Sequence, residues 1–354
     1  MGSAEGEMAA PPARAADAEK AAQDVHARDW PRRWAGPGLC AVAFLVMAAI
    51  SWRKWPDLLI DFGHELYIPW QLASGKVLYR DIAFLFGPFS QYLNAFWFKL
   101  FGVSLSTLVF CNLAILAGMT ILIYRLLVEA TDRLTATAAS LTLLLVFAFA
   151  QYMMIGNYNY VCPYSHEATH GVALTVAMIF CLSRAELRRR RLMHILAGIC
   201  CGFALLTKAE TSLAACAVAI VWLVLGLLVR PQRSRVDVRA VFGFLVAAAV
   251  PVVGFFLWFW SKMPAVLALK GVASAWTVPL SSSAAHNLFH EQGMGLDDVR
   301  GNLLLALAVF GGIALAVIAA GGADVATRRL AAGRAVVGLA WEALCSPRCC
   351  AGLR

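Results

Sequence analysis

The chain has 354 residues, 61% of them hydrophobic and only 14% charged, with a mean hydropathy of +0.71. Soluble domains run near half apolar and about a quarter charged, so this balance belongs to the membrane class. The net charge of +9 is no nucleic-acid footprint. Lys and Arg fall in short clusters between apolar runs, without a continuous basic face or aromatic interleaving.

In chain order, residues 1–33 are rich in Ala and charge and read as a disordered cytoplasmic tail without a signal peptide's apolar core. About eight segments then meet the length of roughly 17–25 apolar residues that a spanning helix needs. They are 34–52, 105–124, 134–152, 169–183, 192–207, 211–229, 240–260 and 303–320. The expected fold is an all-α integral membrane protein, because a lipid-exposed backbone must satisfy its own hydrogen bonds. With the N-terminus in the cytoplasm, 21 of the 30 Lys and Arg fall on the cytoplasmic side, Arg188 to Arg191 among them. This obeys the positive-inside rule. The outer face then carries a long first loop at about 53–104, a tight loop at 153–168, a turn at Lys208 and a loop at about 261–302. Within the first loop, 89–101 is rich in aromatics and reads as an interfacial helix. Residues 321–354 read as a basic cytoplasmic tail, truncated or aberrant in sequence.

The ten cysteines do not form a scaffold. Cys40, Cys111, Cys181, Cys200, Cys201 and Cys216 sit in apolar runs as small hydrophobes, and the rest lack a metal-binding spacing.

Four constellations carry chemistry, each with two readings. Asp61 and Glu65 stand four apart, so on a helix both carboxylates share a face; they suit a general base with a second contact, or a helix cap and a solvated pair. The loop Asn157 to His170, with Tyr164, is a hydrogen-bonding wall or a plain aromatic belt. It contains H-E-x-x-H at His166, Glu167 and His170, which on a helix suits zinc proteolysis; no third ligand follows from the sequence. Lys208, beside Glu210, breaks an apolar stretch near the outer headgroup plane; it suits a lipid phosphate, or snorkels to water.

The run Asp61-x-Gly63, Gly75, Tyr79-Arg80-Asp81, Gly87-Pro88 and Leu100-Phe-Gly102 resembles the first outer loop of C-type membrane glycosyltransferases, specifically the protein O-mannosyltransferase-like branch. Ala197-Gly198-x3-Gly202-x-Ala204-x2-Thr207-Lys208 is similar to that family's helix-turn-helix near the outer leaflet. The resemblance makes 34–320 a transmembrane glycosyltransferase-like domain. It implies transfer of a sugar from a polyprenyl-phosphate carrier to a lipid, glycan or protein acceptor on the extracytoplasmic face, in a bacterial inner membrane. Asp61 takes the catalytic carboxylate's place. Many members have an adjacent Asp-Glu pair; here Phe62 follows Asp61, and Glu65 is the substitute. Lys208 would contact the lipid phosphate, Tyr79, Arg80 and Asp81 would shape the loop, and Tyr164, His166 and Glu167 would line the cavity. The residues call for no cofactor; the resemblance leaves room for a divalent metal ion. The competing classes are a transporter or flippase of a lipid-linked or anionic substrate, and an intramembrane zinc protease.

Overall fold

The computed structural model describes residues 34–54, 62–150, 159–188, 191–228, 238–277, 292, 297–312 and 315. The chain divides into two units, Met1–Leu280 and Ser281–Arg354. The described part of the second is mainly the apolar helix Val299–Gly312.

The first unit is built from helices in the order α1 (Trp34–Ile50), α2 (Phe62–Ala73), α3 (Phe89–Phe101), α4 (Leu105–Ala130), α5 (Arg133–Thr142), α6 (His166–Arg188), α7 (Arg191–Leu205), α8 (Ala209–Leu228), α9 (Val238–Trp260), α10 (Ala265–Val272) and α11 (Ser274–Thr277). Among the described residues there is no strand, only an isolated bridge between Leu78 and Ile82. Local chemistry sets several ends. Ser104 caps α4 by accepting from Ser106 N–H, and Asp132 caps α5 by accepting from Thr135 N–H, satisfying donors that a helix start leaves open. Gly75, at φ 101°, closes α2: its N–H reaches Leu72 O while Lys76 N–H reaches Gln71 O, the paired bonds of a Schellman cap.

Each expected span is helical over most of its described residues. Those long and apolar enough to cross a membrane are Leu105–Ala130, His166–Leu187, Ala209–Gly226 and Val238–Trp260, whereas Trp34–Ile50, Arg133–Ala148, Arg191–Leu205 and Val299–Gly312 are shorter. Several boundaries differ from expectation: α1 ends at Ile50 rather than 52, α4 runs on to Ala130 rather than 124, and α6 runs on to Arg188 rather than 183. The fourth span begins at His166 rather than 169, because its polar first turn is buried against other elements. The fifth stops at Leu205, where the chain turns into α8. Phe242, Leu245, Val250, Val253 and Leu257 of α9 point outward and are exposed. An apolar outer face of this kind is what a membrane-embedded helix presents.

Three apolar clusters organise the unit. Cys40, Met47, Phe62, Leu108, Leu116, Leu144 and Phe149 join α1, α2, α4 and the π-helical stretch Leu143–Ala148. Met178, Leu182, Ala197, Cys201, Ala204, Ala215 and Phe244 join α6 to α9. Ile68, Leu72, Leu78, Ala95, Phe259 and Ala268 pack the first loop onto α9 and α10. The first loop is therefore a folded cap.

The α7–α9 pair depends on Gly198 and Gly202, four apart on one face. A Cβ at Gly198 would collide with Phe244 O, and one at Gly202 with Ala248 O. Small residues at this spacing let helices approach where no hydrophobic effect drives them together. Gly202→Leu should destabilise the solubilised protein by about 1–3 kcal/mol, the usual cost of overpacking, read as a drop in thermal midpoint. Gly118, with nothing near its missing Cβ, should accept Ala without loss; equal effects at both positions would contradict this packing.

Candidate functional site

The cap places the first loop against the α7–α8 turn. Gly87 N–H donates to Thr207 O at 2.7 Å and Phe89 N–H to Leu206 O at 3.1 Å. Position 87 must be glycine for this contact, since a Cβ would meet the Leu206 carbonyl. The docking carries Phe86 to Lys208, whose Nζ lies 5.2 Å from the Phe86 ring and 5.5 Å from the Tyr164 ring. Lys208 also donates to Tyr164 Oη at 3.4 Å and lies 3.6 Å from Glu210 Oε1. Its ammonium is thus held by aromatic faces and a largely exposed carboxylate.

Tyr79, Arg80 and Asp81 form the clamp that holds this loop. Tyr79, at φ 66°, donates to Phe86 O at 2.6 Å and meets Ser274 Oγ at 2.8 Å. Burial pushes its phenol well above the usual range. Arg80 bonds Asp81 in bidentate fashion, at 2.9 and 2.8 Å, and reaches Lys262 O at 3.1 Å. Asp81 also accepts from Val77 N–H; the Arg80 and Val77 bonds bring its carboxyl down to about 2. All three polar groups are engaged in shaping the loop.

Beneath the cap lies a buried polar cluster. Glu65 of α2 is fully buried, and its Oε2 lies 2.6 Å from His166 Nδ1 at the start of α6. Gln91 of α3 directs its amide nitrogen to both Glu65 Oε2 (3.1 Å) and Glu167 Oε1 (2.9 Å). Ser165 Oγ donates to the other Glu167 oxygen at 3.0 Å. Asn112 of α4 donates to Val161 O and faces His166 Nε2, both at 3.0 Å. The carbonyl bond fixes the Asn112 amide with its nitrogen toward the imidazole. His166 Nε2 therefore accepts, and the ring proton sits on Nδ1, pointed at Glu65. Burial opposes ionising Glu65, but the bond from His166 and the close approach of half-exposed His64, 3.0 Å from Oε1, outweigh it and hold the carboxyl below its usual range.

His166 thus spends both ring nitrogens within the protein. His170, one turn on, is buried with its ring 5.6 Å from that of His166 and 6.3 Å from Phe89. Among the described residues, no three His, Cys, Asp or Glu side chains are grouped to hold a metal ion. Within the H-E-x-x-H run, His166 bonds to α2 and α4 and Glu167 to α3, while neither ring nitrogen of His170 has a hydrogen-bond partner. Asp61 lies outside the described residues, immediately before buried Phe62, whose ring is 6.1 Å from His166.

The structure brings together Glu65, His166 and Glu167 in one cluster and Tyr164 with Lys208 beside it, while residues 79–81 act from the loop's far side. Sequence reasoning missed Gln91, Asn112 and His64. Asn112 had a signal, since a lone polar residue inside an apolar span usually faces a partner.

Residues 86–260 match the family model of dolichyl-phosphate-mannose-protein mannosyltransferases. This stretch is just under half of the chain, and over it the chain is similar to that family. Gln91, Asn112, Tyr164, His166, Glu167 and Lys208 fall within the matched stretch; Asp61, Glu65 and 79–81 precede it. Neither a curated protein nor a solved structure matches the chain.

Because the folded pKa of Glu65 is lowered, its contribution to stability is present above the unfolded value of about 4.3 and fades as pH falls below it. Glu65→Gln should therefore lower the thermal midpoint most near pH 7. The gap to the parent protein should narrow toward pH 3; a gap independent of pH would show that Glu65 is not held as a carboxylate.

Proposed function

We propose that this protein transfers a sugar from a polyprenyl-phosphate carrier to an acceptor on the extracytoplasmic face of a bacterial inner membrane. The family match supports a membrane glycosyltransferase that uses such donors. The observation that carries the finer reading is Lys208. Its ammonium stands at the turn where the first loop docks, flanked by Phe86 and Tyr164, a position suited to the phosphate that departs as the sugar moves. The sidedness rests on the clustering of Lys and Arg.

In this reading the acceptor hydroxyl gives its proton to Asp61 as its oxygen bonds the anomeric carbon. The bond from that carbon to the phosphate oxygen breaks, and the electron pair leaves with the lipid phosphate. Lys208 stabilises the negative charge that develops there, the role for which preorganised cations are most effective. Glu65, fully buried, acts as a positioning residue. Its bond to His166 fixes the first turn of α2. Gln91 and Glu167 brace that bond, and Tyr164 orients Lys208. A divalent ion, where one takes part, would have to use Asp61 and substrate oxygens, because His166 and Glu65 are already engaged with each other.

The transporter reading favours broken helices around a midplane site. Glu65, Gln91, His166 and Glu167 instead stand in the first turns of their helices, under the cap.

Membranes containing the protein should label acceptor when given a radiolabelled polyprenyl-phosphate sugar. Asp61→Asn should lower the rate by a factor on the order of 10²–10⁴, as for loss of a general base, with the protein level unchanged. Lys208→Met should lower it by a factor on the order of 10²–10³. Full activity of Asp61→Asn would remove the assigned base, and full activity of Lys208→Met the phosphate contact.

A further inference from the structure

A second feature of the first unit lies away from the buried polar cluster. Between α1 and α4 runs a groove of about 490 Å³. Pro37, Ala41 and Leu45 of α1 form one wall, spaced four apart along a single face; Ala117 and Ile121 of α4 form the other. Trp34, Tyr124 and Arg125 stand together at one end. At 1.5 Å per residue, Trp34 to Leu45 covers roughly 16 Å. That is the depth of one leaflet of a hydrocarbon core about 30 Å thick. An aromatic pair and a cation at one end of an apolar trough, with the trough running one leaflet deep, reproduce the order of headgroup, interface and acyl chain.

Among the described residues, the charge at that end is uncompensated. Arg125 is exposed, and among the described residues its guanidinium makes no ion pair. The nearest acid along α4, Glu129, is already bound to Arg184 at 2.6 Å. From Asn112 in the buried cluster to Arg125 is roughly 20 Å along α4, so this end is remote from the proposed reaction.

We infer that the α1–α4 groove holds one acyl chain of an anionic phospholipid, with its phosphate on Arg125, in the leaflet at the α1 N-terminus. The apolar walls take any chain of that leaflet. Among the described residues lining the groove, Arg125 is the cation that sets the headgroup preference, since a guanidinium forms paired hydrogen bonds to a phosphate. A bound lipid there ties α1 to α4 and so supports the apolar cluster beneath α2.

The test uses the full-length protein reconstituted in nanodiscs of phosphatidylglycerol and phosphatidylcholine, with the retained lipids counted by native mass spectrometry. The parent protein should retain phosphatidylglycerol over phosphatidylcholine by about fivefold, the effect expected of one basic residue at an anionic surface. Arg125→Gln should abolish the preference while still retaining lipid. Ala41→Trp, which fills the trough, should reduce retention of both lipids. Equal retention by the parent protein, a preference that survives Arg125→Gln, or undiminished retention by Ala41→Trp would each overturn the assignment. So would no retained lipid at all, which would mean that another segment of the chain occupies the groove. Since Arg125→Gln can be scored without any transfer assay, this result stands apart from that of the proposed reaction.

Discussion

The arrangement under the cap depends on one buried hydrogen bond, from His166 Nδ1 to Glu65 Oε2 at 2.6 Å. Both side chains are fully buried. A carboxylate in that position without a partner costs several kcal/mol, so the two groups must meet wherever the loop and the helix are placed. Satisfying that demand draws α2 onto the first turn of α6. Gln91 and Asn112 then bring in α3 and α4 to complete the polar requirements of the same pair. Four helices are fixed by one charge and the atoms that answer it. The apolar clusters, which have no such directionality, fill in around the result.

A second constraint acts between backbones. Gly87 lets the loop approach the carbonyls of Leu206 and Thr207, and Lys208 follows directly after them. The buried pair and the backbone contact thus act on the same loop from opposite ends. One sets the entry of α2 after Asp61, and the other sets the exit of the loop beside Lys208. The clamp of Tyr79, Arg80 and Asp81 stiffens the chain between them.

Much of this was legible in the sequence, for identifiable reasons. Apolar length revealed the helices, because lipid forces helical closure of the backbone. The aromatic run at 89–101 gave α3 with its exact ends, since Pro88 and Gly102 bracket it. Asp61, Glu65 and Lys208 stood out because charges are scarce in such a chain. What did not show was pairing. Nothing in the spacing tells that Glu65 meets His166, 101 residues away, rather than Asp61 four residues before it. The H-E-x-x-H run suggested a metal site for the same reason: the sequence displays two imidazoles but hides the Asn112 and Glu65 groups that already occupy His166. The short helices were also hidden, as hydropathy continues through Leu206 and Thr207 although the chain turns there.

The central claim is that a lipid phosphate meets Lys208 at the junction of the cap and the α7–α8 turn. A photoreactive polyprenyl-phosphate sugar, irradiated in membranes containing the protein, tests this most directly by peptide mapping of the attached label. The account predicts label within 86–92, 159–170 and 203–211, displaced by unlabelled donor. Label confined to other segments, such as the α1–α4 groove, would contradict it.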